Sequence, residues 1–378
     1  MRTLGLYIHI PFCQQKCNYC DFYSFSATDK EKEDYINALC AHIEMEADRY
    51  KEYEFDTVYI GGGTPSIITP PLIEKLGFTI KNHLNLTQGV EFSIEINPGT
   101  LTEEKLNSYK KIGVNRLSIG LQSTDDKQLF MLGRIHSLKD FENSYYLARK
   151  KGFDNISLDL MYSLPNQAKK EFLKALEKAI SYNPEHISAY CLKIEENTHF
   201  GKIKDILALP NEDEEYETYI SLVDTLEKNG YSQYEISNFS KEGKRSQHNM
   251  KYWLSQEYVA FGPSAHSYFE GKRYSYKPNV LEYINSIQNG IAPKKQFEDE
   301  NRHSLSKIDE YVMLRMRLSD GVDCKEFKDM FGKDFLCEYP KIQEFVDYGY
   351  VAFKNNTYSF TPKGFFVSNY ILTEILSF

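Results

Sequence analysis

The chain has 378 residues, 26% of them charged and 41% hydrophobic, with a formal net charge of −9. That length leaves room for two or three domains, and the acidic balance excludes a general affinity for nucleic acid or anionic membrane, which demands a basic surface. No apolar run approaches the roughly 18 residues of a spanning helix, and MRTLGLYIHIPFC is too briefly apolar for a signal peptide, so a cytoplasmic protein is expected.

In chain order, short apolar and β-branched runs recur: LGLYIHIP (4–11), DTVYIGGG (56–63), VEFSIEIN (90–97), NRLSIGLQ (115–122), NISLDLMY (155–162) and HISAYCLK (186–193). Helix-like stretches over 30–52, 102–111, 137–151 and 167–182 lie between them. Strands alternating with helices predict βαβ units and a parallel sheet. Six units stop two short of an eight-fold barrel. The expected fold is therefore α/β, an incomplete (β/α)6 parallel barrel over residues 1–235. A doubly wound open sheet is the competing reading, which periodicity alone does not separate from it.

Residues 211–229 form an acidic-fronted amphipathic helix ending at Gly230. A Tyr-rich connecting region, 236–300, carries HNMKYW and FGPSAHS. Residues 301–378 return to helical patterns and include VAFKNNTYSFT, a hairpin with Asn355 and Asn356 at its tip. Helices plus a small hairpin predict a compact α+β, winged-helix-like domain, read as structural given the acidic charge. There is no internal repeat and no low-complexity segment.

The chemistry concentrates in CQQKCNYCDF. Three of the seven cysteines, Cys13, Cys17 and Cys20, fall within eight positions directly after a predicted strand. Clustered cysteines in a reducing compartment more often bind metal than pair as disulfides. A zinc ribbon would need a second ligand pair, and Cys40, Cys191, Cys324 and Cys337 are scattered. A closed [4Fe–4S] site uses four cysteines; three would leave one iron open to a small molecule. GGGTP (61–65) ends the second strand, where glycines let backbone groups approach a ligand. Glu95, Gln122, Arg134 and Asp159 stand at or near later strand ends. Polar side chains amid β-branched runs are costly to bury unpartnered, so they face a site or pair with one another.

The C-x3-C-x2-C spacing after a first strand resembles the radical S-adenosylmethionine (SAM) superfamily. The resemblance implies a [4Fe–4S] cluster on Cys13, Cys17 and Cys20, with the amino and carboxylate groups of SAM on the fourth iron. YIHIPFCQQKCNYCDF together with GGGTPS, EINP, GLQS, GRIH and DLMYSLPNQ is similar to the oxygen-independent coproporphyrinogen III oxidase family over most of the chain. That likeness implies SAM contacts at Tyr7, Gly62, Gly63, Thr64, Glu95, Gln122, Arg134 and Asp159. It puts His9 near the cluster, and aligns Cys191 and His266 loosely with further cofactor contacts.

The family has two branches. The decarboxylating oxidases continue the motif to a fourth cysteine, where this chain has Phe22, and carry an N-terminal extension, whereas this chain enters its first strand at about Leu4. The string HNMKYW (248–253) resembles the H-N-x-x-Y-W motif of the HemW-type heme chaperones, and implies heme contacts at His248, Tyr252 and Trp253. His is a natural axial ligand for heme iron, and aromatic rings can flank a porphyrin. The expectation is thus a heme chaperone that passes heme to an acceptor hemoprotein, with a reductant for the cluster and no nucleic-acid partner; a homodimer is compatible with it. The alternative is radical decarboxylation of coproporphyrinogen III propionates to vinyls.

Overall fold

The computed structural model describes residues 2–298 and 306–376. β1 (Arg2–Ile10), β2 (Tyr53–Gly62), β3 (Leu86–Ile96), β4 (Arg116–Gln122), β5 (Ile156–Tyr162) and β6 (His186–Cys191) stand side by side in chain order, all parallel. A doubly wound sheet would reverse its order at a switch point. This one never does, so the six units form a barrel sector, as expected.

The strands form because each alternates strictly, and the alternation decides which face is which. Leu6, Ile8, Val58, Ile60, Phe92, Ile94, Leu117, Ile119, Leu158 and Ile187 are fully buried on the helix-facing side. The residues between them point into the lumen: Tyr7 and His9, Thr57 and Tyr59, Ser93 and Glu95, Arg116 and Ser118, Ser157 and Asp159. A closed eight-fold barrel fills its interior with branched apolar side chains. Here the interior is polar, which is costly unless those groups are bonded or meet a ligand.

The outer layer is α1 (Asp29–Glu46), α2 (Pro70–His83), α3 (Glu103–Ile112), α4 (Asp126–Met131), α5 (Leu138–Lys150), α6 (Lys169–Ser181), α7 (His199–Lys202) and α8 (Glu212–Lys228). Capping boxes start three of them, Thr28 with Glu31, Ser137 with Asp140 and Asn211 with Glu214. Four acidic residues in the first turn of α8 suit the positive end of its dipole.

The connecting region adds to both edges of this sheet. β7 (Ser232–Gln233) and β8 (Asn238–Ser240) extend it beyond β6. β9 (Tyr258–Phe261) lies parallel to β1, followed outward by β10 (His266–Phe269), β11 (Lys272–Tyr276) and β12 (Lys295–Phe297). Between them come α9 (Gln247–Trp253) and, after β11, α10 (Val280–Gln288). The expected boundary at 300/301 lies outside the described residues.

The C-terminal unit is small and α+β. Helices from Lys307–Arg315 to Ser368–Ile375 surround β13 (Val322–Asp323), β14 (Val351–Lys354) and β15 (Thr357–Phe360), in sheet order β13-β15-β14. Asn355 and Asn356 turn the hairpin with φ of 50° and 64°, the left-handed pair that a two-residue type I′ turn requires. The unit docks on α8, where Tyr216 and Tyr219 meet Phe366 at ring distances of 5.2 and 5.7 Å. Arg245 forks onto Asp320 at 2.5 and 3.0 Å beside it.

Candidate functional site

The cysteine loop leaves β1 at the C-terminal rim of the barrel, where ligands of parallel sheets usually bind. It is pinned at its start, where the Cys13 N–H donates to the Phe25 carbonyl at 3.0 Å. Its middle is tied by Asn18 to two other rim loops. The Asn18 N–H and side-chain amide donate to the Leu132 and Met131 carbonyls at 3.0 and 2.8 Å, and its own carbonyl accepts the Phe200 N–H at 2.9 Å. Three rim segments, the cysteine loop, the end of α4 and the stretch from α7 to Ile206, are thereby fixed to one another, and each exposes an apolar side chain: Phe22 is 68% exposed, Phe130 84% and Ile206 81%.

All three cysteines of the loop are unbridged. Cys13 Sγ accepts from the Thr64 hydroxyl at 3.4 Å, and Cys17 Sγ from Arg134 Nη1 at 3.6 Å. Burial raises the pKa of the Cys20 thiol, and the neighbouring Cys17 and Cys13 raise it further. Among the described residues no three Cys, His, Asp or Glu side chains converge on a single metal-ion position, while Cys13 and Cys17 are near enough to act on Cys20. The glycine run is a cradle. A Cβ on Gly63 would stand 3.0 Å from Cys13 Sγ and 2.7 Å from the Phe12 carbonyl, and one on Gly62, at φ 114°, would stand 2.7 Å from the His9 ring. Unbridged soft donors, hydrogen bonds aimed at sulfur and a backbone shorn of side chains fit an anionic iron–sulfur cluster.

Below the loop the lumen holds two carboxyls. Glu95 accepts from the Tyr59 hydroxyl at 3.0 Å and from the Gly62 N–H at 3.0 Å. Its pKa nevertheless rises to about 7, because burial and the Asp159 charge outweigh those donors. Asp159 is raised by burial too, against hydrogen bonding from Ser188, the Arg116 charge and the Ser118 hydroxyl at 3.3 Å. Arg134 donates to the Gly120 carbonyl at 3.1 Å and also to Asn97 Oδ1. Its Nε is buried without a partner. Gln122, at φ 63°, ends β4 with its amide over the same Gly120. Tyr7 bonds His9 Nδ1 at 3.1 Å, and His9 Nε2 meets the Tyr23 carbonyl at 3.2 Å.

The sequence-based site residues therefore split into two groups. Cys13, Cys17, Cys20, Gly62, Gly63, Thr64, Gln122 and Arg134 gather at the rim, with Tyr7, Glu95 and Asp159 beneath them. His248, expected with Tyr252 and Trp253 to contact heme, lies at the other end of the lumen in closed surroundings. Its ring is 1% exposed; Nδ1 bonds the Thr57 hydroxyl and Nε2 the Tyr252 hydroxyl, both at 2.8 Å. Burial and the Lys251 and Arg116 charges push its pKa down to about 3. Neither nitrogen has a free lone pair facing space for a macrocycle. Tyr252 is likewise committed, and Trp253 is half-buried at the end of α9.

Cys191 closes β6 with its thiol pushed up to about 12 by burial and Glu215. His266 is exposed at the start of β10; burial lowers the pKa of His9 to about 4, and the nearby His266 adds to that shift. Sequence reasoning missed Asn18, Asn97 and Arg116. Asn97 had a signal, continuing the inward alternation from Glu95, whereas Asn18 is recognisable only by the loops it ties. A cavity of about 390 Å³ lined by Ser163, Asn166, Phe172 and Leu209 opens between α6 and α8, and no expected site residue lines it.

A six-unit parallel barrel with an unbridged cysteine triplet on the loop after its first strand is a radical SAM protein. Residues 7–179 match the radical SAM superfamily and residues 305–367 the HemN C-terminal domain. The fold resembles that of coproporphyrinogen III oxidase (HemN) from Escherichia coli, with a TM-score of 0.85 at 19% identity, covering 100% of this chain and 90% of that one. The chain is 35% identical to the heme chaperone HemW of Bacillus subtilis (strain 168), over 98% of both chains. It is 34% identical to that of Escherichia coli (strain K12), over 99% of this chain and 98% of the other. The chain belongs to the HemW heme-chaperone family.

Proposed function

We propose that this protein binds heme and passes it to an acceptor hemoprotein, with a [4Fe–4S] cluster on Cys13, Cys17 and Cys20 and SAM beside it. When bound, the cluster supplies an open iron site and a source of single electrons. Arg134 and the Thr64 hydroxyl would stabilise the thiolates that hold it. Gly62 and Gly63 would offer backbone to the ligand at close range, and Glu95, once ionised, would take its ammonium group. Tyr7, Gln122 and Asp159 would line the remainder of the SAM site.

The observation that carries heme binding is the apolar crest beside the cysteine loop. Phe22 occupies the position where the decarboxylating oxidases have a fourth cysteine, and it faces outward with Phe130 and Ile206. A porphyrin is a broad apolar plate with two carboxylates, and exposed large apolar side chains beside a functional loop mark a binding surface. Lys16, Lys202 and Lys204 are exposed on the same loops and suit the propionates. The name carried by the full-length relatives supports the same reading.

The test is an anaerobic heme titration of cluster-reconstituted protein, followed by its visible spectrum, beside a Phe22→Asp, Ile206→Asp double variant. A Soret shift that saturates near one heme per chain, and is weakened in the variant, is expected. Absence of any specific shift in the wild type would refute heme binding. Vinyl product from coproporphyrinogen III under anaerobic, reducing conditions would move the protein to the oxidase branch.

A further inference from the structure

The floor motif takes no part in that reading, yet it is tied to the SAM site by direct contacts. α9 closes the end of the lumen opposite the cysteine loop. Its first two N–H groups, of Gln247 and His248, donate to the Glu91 carboxylate at 3.0 and 3.1 Å. Lys251, almost wholly buried, meets Asp56 at 2.8 Å. The helix is thus bolted to β2 and β3, and the His248 ring is held edge-on by Thr57 and Tyr252.

The face of that ring carries the consequence. It stacks on Tyr59 at 5.3 Å with an interplanar angle of 25°, and on Tyr7 at 6.4 Å and 27°; Tyr7 and Tyr59 stack on each other at 6.2 Å and 23°. Three near-parallel rings from β1, β2 and α9 therefore form one block. Its polar ends point toward the rim, the Tyr59 hydroxyl onto Glu95 and the Tyr7 hydroxyl onto His9. A tyrosine packed on its face cannot swing about its side-chain torsions, so the donor to Glu95 stays where the carboxylate needs it.

We propose that His248 is a positioning residue of the SAM site, acting through Tyr59 and Tyr7, and is not the heme ligand. The proposal rests on the reading of Tyr7 and Glu95 as SAM contacts. It assigns the motif a task that its burial permits, and it makes the imidazole's flat ring matter more than its nitrogens.

The test measures SAM affinity by equilibrium dialysis on cluster-reconstituted protein, with circular dichroism and the cluster's visible absorption as checks on each variant. His248→Ala removes both ring contacts and is expected to weaken SAM about tenfold, the scale of losing two aromatic pairs. His248→Phe restores a flat ring without nitrogens, and is expected to bind SAM within about threefold of wild type while keeping the wild-type heme spectrum. In a cycle with Tyr59→Phe, the two losses should be less than additive, because both act on Glu95. Should His248→Ala fail to fold, His248→Phe against His248→Gln decides, the ring variant being the tighter binder if the proposal holds. Unchanged SAM affinity in His248→Ala beside a weakened Glu95→Gln overturns the proposal alone. Unchanged affinity in Glu95→Gln as well refutes the SAM reading beneath it. A Soret band lost in His248→Phe with SAM binding intact restores the motif as the heme ligand.

Discussion

The two ends of the lumen use similar residues for opposite purposes. At the rim, polar groups have spare capacity: Arg134 Nε is buried without a partner, three thiols are unbridged, and the Glu95 carboxyl is held near the point of half-ionisation. At the floor they are used up on one another, His248 by two hydroxyls and Lys251 by Asp56. Arg116 and Ser93 are exceptions there, the Arg116 Nε and the Ser93 hydroxyl being buried without partners. Native structures satisfy buried polar groups, so leftover valence marks the end that awaits a ligand and completed valence marks the scaffold. Residue type alone does not separate the two.

The largest expected effect breaks the rim outright. Cys17→Ala should abolish the visible absorption of the reconstituted cluster while circular dichroism shows the fold retained; an unaltered spectrum would remove Cys17 from the ligand set. Glu95→Gln comes next and should cost SAM about 1–3 kcal/mol, the worth of a hydrogen bond to a charged group. The same carboxyl sets a pH dependence with two opposite signs. Its pKa is raised to about 7 in the folded protein, so protonated Glu95 adds stability at low pH that is lost as pH rises through about 7. SAM affinity should climb over that interval as the carboxylate forms, then level off. A profile as steep in Glu95→Gln as in wild type would assign the titration to another group.

At the floor, Lys251→Ala should lower stability by about 1–3 kcal/mol, since it strips a buried charge-assisted hydrogen bond, and leave the cluster absorption intact. Loss of the cluster in that variant would erase the distinction between the two ends. Arg245→Ala, which breaks the exposed pair with Asp320, should shift stability by under about 1 kcal/mol. A larger shift would mean that docking of the C-terminal unit supports the floor.

Much of this was legible in the chain itself. Period-two alternation in LYIHI, VYIGG, FSIEI and SLDLM determines both the strands and their polar inward faces, because side chains on a strand must alternate. The cysteine spacing, the glycine run and the recurrence of polar residues at strand ends picked out the rim, since each local pattern has a local physical cause. The sequence could not say which end of the lumen receives HNMKYW. That depends on β9 pairing with β1 some 250 residues away, a contact with no local signature. Nor could it show that Asn18 ties three loops, or that both nitrogens of His248 are already engaged. Those are facts of packing between distant segments, and only the tertiary structure decides them: a histidine beside aromatics reads alike in sequence whether its lone pairs are open or bonded.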